Sequence, residues 1–283
     1  FAMNSEVVKQ ILSFVANEPK SIHEIAQHVQ KSWKTIDKYV QEIQKDYPEL
    51  RVKVFRKGSH GALKVVYLEN VMQKSKDEIK EKFLKAFLTG NVKDDFDVLD
   101  FFMHVKSDKK NVVFEQYEKE NVSVKQELAK QLFSCQHTLY NFSGNLSWIN
   151  VKEKGVIMIT VLEDLVKRGV KIKVLCRIDP ASLRNITKLK SLDKKHGTDL
   201  IEIRHLRHPL RGFIFDDRLL RLKEEVRTAR YKEGEIAKNL RIFYDVWDPE
   251  WANWMTNVFT YSFNGAMNLA SYEDVVKKIV NYV

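Results

Sequence analysis

Cysteine is nearly absent from this chain. Only Cys135 and Cys176 occur in 283 residues, far apart and outside any metal-ligand pattern. A disulfide-stapled scaffold and a zinc motif are therefore excluded, and two reduced, buried thiols are expected. Long apolar runs are missing too. No stretch approaches the roughly 20 residues that span a bilayer, and no leader is visible, so a cytoplasmic protein without a membrane partner is expected. Carboxylates are in deficit, with 38 Asp and Glu against 48 Lys and Arg, for a net charge of +10 and a pI near 9.3. That balance favours an anionic partner without saying which face meets it. Hydrophobic residues at 44% and charged residues at 30% describe a globular chain, long enough for two domains with separate cores.

Residues 21 to 40, SIHEIAQHVQKSWKTIDKYV, read as two short helices joined by a tight turn. Ile22, Ile25, Ala26 and Val29 share one helical face, and Ile36, Val40 and Ile43 share another. Lys31, Ser32, Trp33, Lys34, Thr35 and Lys38 point elsewhere. An aliphatic back with Lys, Ser, Trp and Thr at the start suits a helix over residues 31–47 that enters a DNA major groove. An amphipathic helix with Val7, Val8, Ile11, Leu12 and Val15 on its apolar side precedes it. The run RVKVFRKGSHGALKVVYL follows, a hairpin turning at Lys-Gly-Ser-His-Gly. Three helices and a basic hairpin define a winged helix-turn-helix domain over residues 1–70, with Arg56, Lys57 and His60 as wing contacts to double-stranded DNA. Over those residues eleven Lys and Arg face eight Asp and Glu. Along the hairpin the surplus is Arg51, Lys53, Arg56, Lys57 and Lys64, where a wing meets phosphates. A protein-docking module is the other reading of such a unit.

Residues 71–110 hold a helix over KSKDEIKEKFLKAFLT, with Ile79, Phe83, Phe87 and Leu88 on one face, and an apolar cluster FDVLDFFMHV. They read as a linker, a dimerisation region or the start of the second domain. Residues 111–283 read as the second domain, in which helices and strands alternate from residue 122; this indicates a layered α/β domain and makes the whole chain α+β and α/β. KEKGVIMITVLEDLVKRGV reads as a helix closed by Gly169, and KIKVLCRI as a strand. PASLRNITKLKSLDKKHG reads as a helix from Pro180 to Gly197. DLIEIRHL, RGFIFDDRLLRLK and RIFYDVW read as three further strands. Trp247, Trp251 and Trp254 recur with Phe259 and Phe263 at helical spacing, which describes buried helix faces rather than a stacking platform. His205 and His208 have no carboxylate or Cys at ligand spacing, so no metal and no cofactor are expected.

The order of LVKRGVKIKVLCRI, then IEIRHLRHPLRGFIFDDR, then DPEWANWMTNVFTYSFNGA resembles the phospholipase D superfamily. More closely it resembles the effector domain fused to winged helices in TrmB-like archaeal transcription regulators, over roughly residues 122 to 267. The resemblance implies a nucleophilic His, a Lys two residues later and an Asp five beyond that in active members. Here the cation and the acid align as Arg211 and Asp216, but Pro209 stands at the nucleophile's position and His208 lies one residue early. On a strand that shift turns a side chain to the opposite face, so a catalytically inactive domain is expected. The TrmB-like resemblance also implies a small-molecule effector site and a homodimer. Arg204, Arg211, Asp216 and Asn145 are the candidates to line that site, the last in the loop Phe142–Asn145. An ion pair between Arg211 and Asp216 is the alternative. A sequence-specific regulator is thus expected, with a DNA-targeted phosphodiesterase or an architectural DNA-binding protein as rivals.

Overall fold

A computed structural model describes residues 5–56, 62–69, 75–117, 122–123, 127–227 and 239–272. The opening amphipathic stretch forms α1 (Ser5–Phe14), and a short strand β1 (Lys20–Ser21) leads straight into α2 (Ile22–Val29). Ser21 caps α2 reciprocally with Glu24: its Oγ accepts from Glu24 N at 3.2 Å, and Glu24 Oε2 accepts from Ser21 N at 2.7 Å. Gln30, at a left-handed φ of 56°, ends α2 and turns the chain into α3 (Trp33–Asp46). Strands β2 (Leu50–Arg56) and β3 (Ala62–Leu68) complete a three-stranded antiparallel sheet in the order β1-β3-β2. The residues expected inside are those inside: Ile22, Ile25, Ala26 and Val29 on α2, and Ile36, Val40 and Ile43 on α3. They close on Ile11, Val15, Leu50 and Val66 in one core. Residues 5–69 are called the head below, and the remainder the body.

The β2–β3 hairpin serves two cores. Leu50 and Val66 face the head's helices, whereas Leu63 and Val65 join the body's largest cluster. Phe55 packs on Phe102 at 5.3 Å. The boundary expected near residue 70 therefore divides the chain but not the packing. Helices α4 (Lys76–Thr89) and α5 (Val98–His104) lie in that same body cluster. Phe101 meets Trp251 edge-on at 5.1 Å. Ile79, Phe83 and Phe87 are buried as expected, while Leu88 is not.

The body is built on an eight-stranded mixed sheet. Its strands are β4 (Lys110–Tyr117), β6 (Thr138–Phe142), β9 (Lys171–Cys176), β10 (Ile201–His205), β11 (Gly212–Phe215), β12 (Leu219–Val226), β13 (Asn239–Val246) and β14 (Met267–Asn268), ordered β14-β10-β9-β6-β11-β12-β13-β4. β6, β9 and β10 run parallel, and the β11-to-β4 half is antiparallel. Helices α6 (Leu128–Ser134), α7 (Met158–Lys167) and α8 (Pro180–His196) pack on one face, and α4, α5 and α9 (Pro249–Gly265) on the other. Strand alternation assigns the faces: Phe213 and Phe215 point to the first, Ile214 to the second. A separate small sheet joins β5 (Val122–Ser123), β7 (Lys152–Glu153) and β8 (Val156–Ile157).

Three expectations need correction. RGFIFDDRLLRLK is two strands, not one, because Asp216 and Asp217 both adopt left-handed φ, 51° and 57°, and fold β11 back onto β12. The helix expected from residue 152 starts at Met158, after a turn at Gly155 with φ of 90°. Trp247 precedes the Asp248 cap of α9 and is 40% exposed, so it leaves the buried face that Trp251, Phe259 and Phe263 form. Both cysteines are buried and free. Among the described residues no helix is long and apolar enough to cross a membrane.

Candidate functional site

Helix α3 presents its candidate residues as a surface. Ser32 is the N-cap, its Oγ accepting from Thr35 N at 3.2 Å and bonding Thr35 Oγ1 at 2.8 Å. Ser32 and Thr35 therefore fix the start of the helix. Lys31, Trp33, Lys34 and Lys38 are exposed, while Ile36, Val40 and Ile43 anchor the opposite side. Gln41 and Lys45 continue the exposed row by a further two turns, and sequence reasoning passed over both. The signal was available, since 34, 38, 41 and 45 recur at the spacing of one helix face. Trp33 stacks on His23 of α2 at 6.2 Å, and Lys34 Nζ sits 5.9 Å above its ring.

Lys45 Nζ also donates to Glu42 at 2.8 Å, and the hairpin's cations are engaged as well. Lys64 Nζ donates to both oxygens of Asp37 at 2.6 and 2.8 Å and ties β3 to α3. Arg51 bonds Glu69 at 3.0 Å, and Lys53 donates to Ser107 Oγ in the body at 2.7 Å. These bonds brace the hairpin, and Arg51 stays about half exposed within its pair. Lys57 and His60 lie outside the described residues, and Arg56 is described only as the end of β2, paired with Ala62.

In the body the expected effector residues do not converge. Asp216 sits at the β11–β12 turn, where its carboxylate accepts from the backbone N–H of Gln136, His137 and Thr138 at 2.9, 2.7 and 3.0 Å. Burial pushes this carboxyl up, but those three donors and Arg218 outweigh it and hold it at about 2. Arg211 stands before the opposite end of β11, its Nη1 donating to the carbonyls of Leu210 and His208. Residues five apart along an extended strand are about 16 Å apart and face opposite ways, so neither a shared cleft nor an ion pair forms. Arg204 stacks on Phe263 at 4.5 Å and donates to the carbonyls of Phe263 and Asn264, closing the end of α9. Asn145 Oδ1 accepts from Ser147 N at 3.2 Å within its own turn. Of the expected set, the loop holding Asn145 is what approaches Arg211: a Cβ at Gly144 would lie 2.9 Å from Arg211 Nη2.

His208 is buried between Phe87 and Phe142. Its Nε2 lies 3.1 Å from the Leu175 carbonyl, which it meets as a donor, and its Nδ1 has no hydrogen-bond partner among the described residues. Burial, helped by Arg211, pulls this imidazole down to about 4. His205 Nδ1 accepts from Ile178 N at 2.9 Å. Among the described residues no group of three His, Cys, Asp or Glu side chains has metal-binding geometry.

No family model matches this chain, and no curated protein sequence does. Among solved structures it is similar to a phospholipase D family member, Nuc from Salmonella typhimurium, at 14% identity over 56% of this chain and 98% of the other, with a TM-score of 0.38. TrmBL2, an archaeal chromatin protein with a novel mode of DNA binding, matches at 16% identity over 94% of this chain and 95% of its own, with a TM-score of 0.38. Phosphatidylserine synthase from Haemophilus influenzae Rd KW20 matches at 11% identity over 78% and 58%, with a TM-score of 0.41.

Proposed function

We propose that this chain is a sequence-specific DNA-binding transcription regulator, a winged helix-turn-helix head carried on a catalytically inactive phospholipase-D-like body. The observation that carries the reading is the exposed row Lys31, Lys34, Lys38, Gln41 and Lys45 on a helix whose other side is locked by Ile36, Val40 and Ile43. Lysines along such a row meet phosphates, and Trp33 and Gln41 reach base edges in a major groove. The β2–β3 hairpin supplies the wing. Pro209 stands where the superfamily resemblance asks for a nucleophile, and His208 makes its bond to a backbone carbonyl within the core. That arrangement supports an inactive body, which senses a small molecule and pairs two copies on an operator whose half-sites lie about one helical turn apart.

The test is binding of the full chain to a pool of genomic fragments at about 150 mM salt, where specific and nonspecific binding separate. Enrichment of a few palindromic sites supports the regulator. Even binding to all fragments identifies an architectural protein instead, and cleavage of the fragments would overturn the inactive body.

A further inference from the structure

A cavity of about 980 Å³ lies where the head's α2 meets the open sheet of the body. Strand register builds its floor. Glu224, Ile242 and Phe114 stand in one cross-strand row on β12, β13 and β4, and Val226 and Leu240 begin the next. Ser21, His23 and Glu24 form the roof, and Phe96 and Asp97 close one side.

Charge is divided along this space. In the interior, three carboxyls depend on one lysine: Lys20 Nζ bonds Asp97 at 2.7 Å and shares itself with Glu18 at 3.0 Å. Glu24 holds the Ser21 N–H, and Glu224 accepts from Tyr244 Oη at 2.7 Å. Burial raises all three carboxyls, Glu224 to about 8, so Glu224 is mainly neutral near pH 7 and a cation entering the cavity would favour the ionised forms. The imbalance reverses at a rim on the sheet's other face: Lys223 and Glu225 alternate with Glu224 along β12 and reach the cavity beyond Gly212, where the pairing of β11 with β12 ends. Glu225 serves three cations, Lys223 at 2.9 Å and Lys93 and Arg227 at 3.4 Å, and Arg211 stands beside them with donors on carbonyls.

We infer that this cavity binds a dipolar small molecule, its ammonium end inward against Glu24, Asp97 and Glu224 and its anionic end outward at Lys93, Lys223 and Arg211. The apolar row between the two ends takes the ligand's body. A lone cation leaves the basic rim unmatched and a lone anion leaves the interior carboxyls unmatched, so each half by itself is disfavoured. The site also has a way to report occupancy. His23 lines the cavity and stacks on Trp33, the first residue of α3, while Lys20–Asp97 and Glu18–Lys82 fasten head to body at the same seam. A ligand ammonium competing for Asp97 acts on that fastening, which is an equilibrium coupling between the cavity and α3. The coupling rests on the DNA-binding reading; the ligand site does not.

The experiment is calorimetry on the full chain without DNA. The probes are γ-aminobutyrate, δ-aminovalerate and ε-aminocaproate, with hexylamine and hexanoate as the singly charged counterparts. At least one ω-amino acid should bind about ten-fold more tightly than both counterparts. Glu224→Gln and Lys223→Ala should each remove about that factor while the circular dichroism melt stays unchanged. Equal binding of hexylamine, or no binding of any ω-amino acid up to about 10 mM, overturns the inference. DNA affinity is then measured with and without the bound probe, and a change of about five-fold is expected. Probe binding with an unchanged DNA affinity overturns the coupling, whereas probe binding by a chain that binds no DNA supports the cavity and removes the regulator reading.

Discussion

Arg221 and Lys34 carry the same charge into opposite settings. Arg221 on β12 is buried and meets Asp245 on β13 through two parallel bonds, Nε to Oδ1 and Nη2 to Oδ2. Arg241 on β13 and Glu115 on β4 form a second buried pair one strand further on, Nη1 to Oε2 at 3.3 Å. Lys34 and Lys38 instead stand in water on α3. The body pairs Arg221 and Arg241 with carboxylates inside the sheet, where they constrain structure. The head keeps its α3 cations on the surface, where they contribute little to stability. Stability and binding should therefore respond to different substitutions.

The largest expected effect lies in the sheet. Arg221→Met strands Asp245 as an uncompensated buried charge and should cost about 3–5 kcal/mol in urea unfolding. The double variant Arg221→Met with Asp245→Leu should recover most of that loss, since removing both charges also removes their desolvation cost. A single variant that unfolds at the wild-type urea midpoint would sink the contrast.

Asp216 comes next. Its carboxyl is held at about 2 against an ordinary 3.8. The folded value is the lower one, so its stabilisation is complete above 3.8 and is lost as pH falls from there through about 2. The shift corresponds to about 2 kcal/mol. Asp216→Asn should lose roughly that amount at pH 7 and show a flatter stability profile below pH 4. An unchanged profile would mean that the three backbone bonds do not bind the charged form.

Much of the head could be read from the chain because its helices are amphipathic and half-wet. Ile22, Ile25, Ala26, Val29, Ile36, Val40 and Ile43 repeat at the helical period, and all are buried. In the body, Pro180 and Gly197 bracketed α8, and alternation revealed β9. The β11–β12 hairpin was hidden for two reasons. A sheet covered on both faces gives continuous apolar runs such as GFIF, and its turn is Asp-Asp rather than the stronger Asn-Gly signal. The separation of Arg211 and Asp216 was in fact legible, because strand rise alone sets residues five apart about 16 Å from each other. Lys64–Asp37 and the cavity under α2 were not, since both come from segments that meet only on folding.

On α3 the comparison is sharpened by binding. Lys34→Ala with Lys38→Ala should leave the unfolding midpoint within about 0.5 kcal/mol, as exposed charges do. It should lower DNA affinity by about ten-fold and reduce the slope of log affinity against log salt by about two, one for each phosphate no longer neutralised. A double variant with unchanged slope would show that phosphates meet a different surface.

The smallest effect joins the two regimes in one residue. Ser32 is exposed like the lysines, yet its Oγ accepts from Thr35 N and starts the helix that displays them. Ser32→Ala should cost about 1 kcal/mol in urea unfolding, the usual loss for an N-cap hydroxyl, whereas Ser32→Asp should preserve the cap. The same pair divides differently on DNA. Ser32→Ala frays the first turn and weakens binding without altering the salt slope, because no cation is removed. Ser32→Asp keeps the turn but sets a carboxylate among Lys31, Lys34 and Lys38, so it should weaken binding more while unfolding like the wild type. If Ser32→Asp bound DNA as tightly as the wild type, the start of α3 would be a structural device alone, and its lysines would not face phosphates.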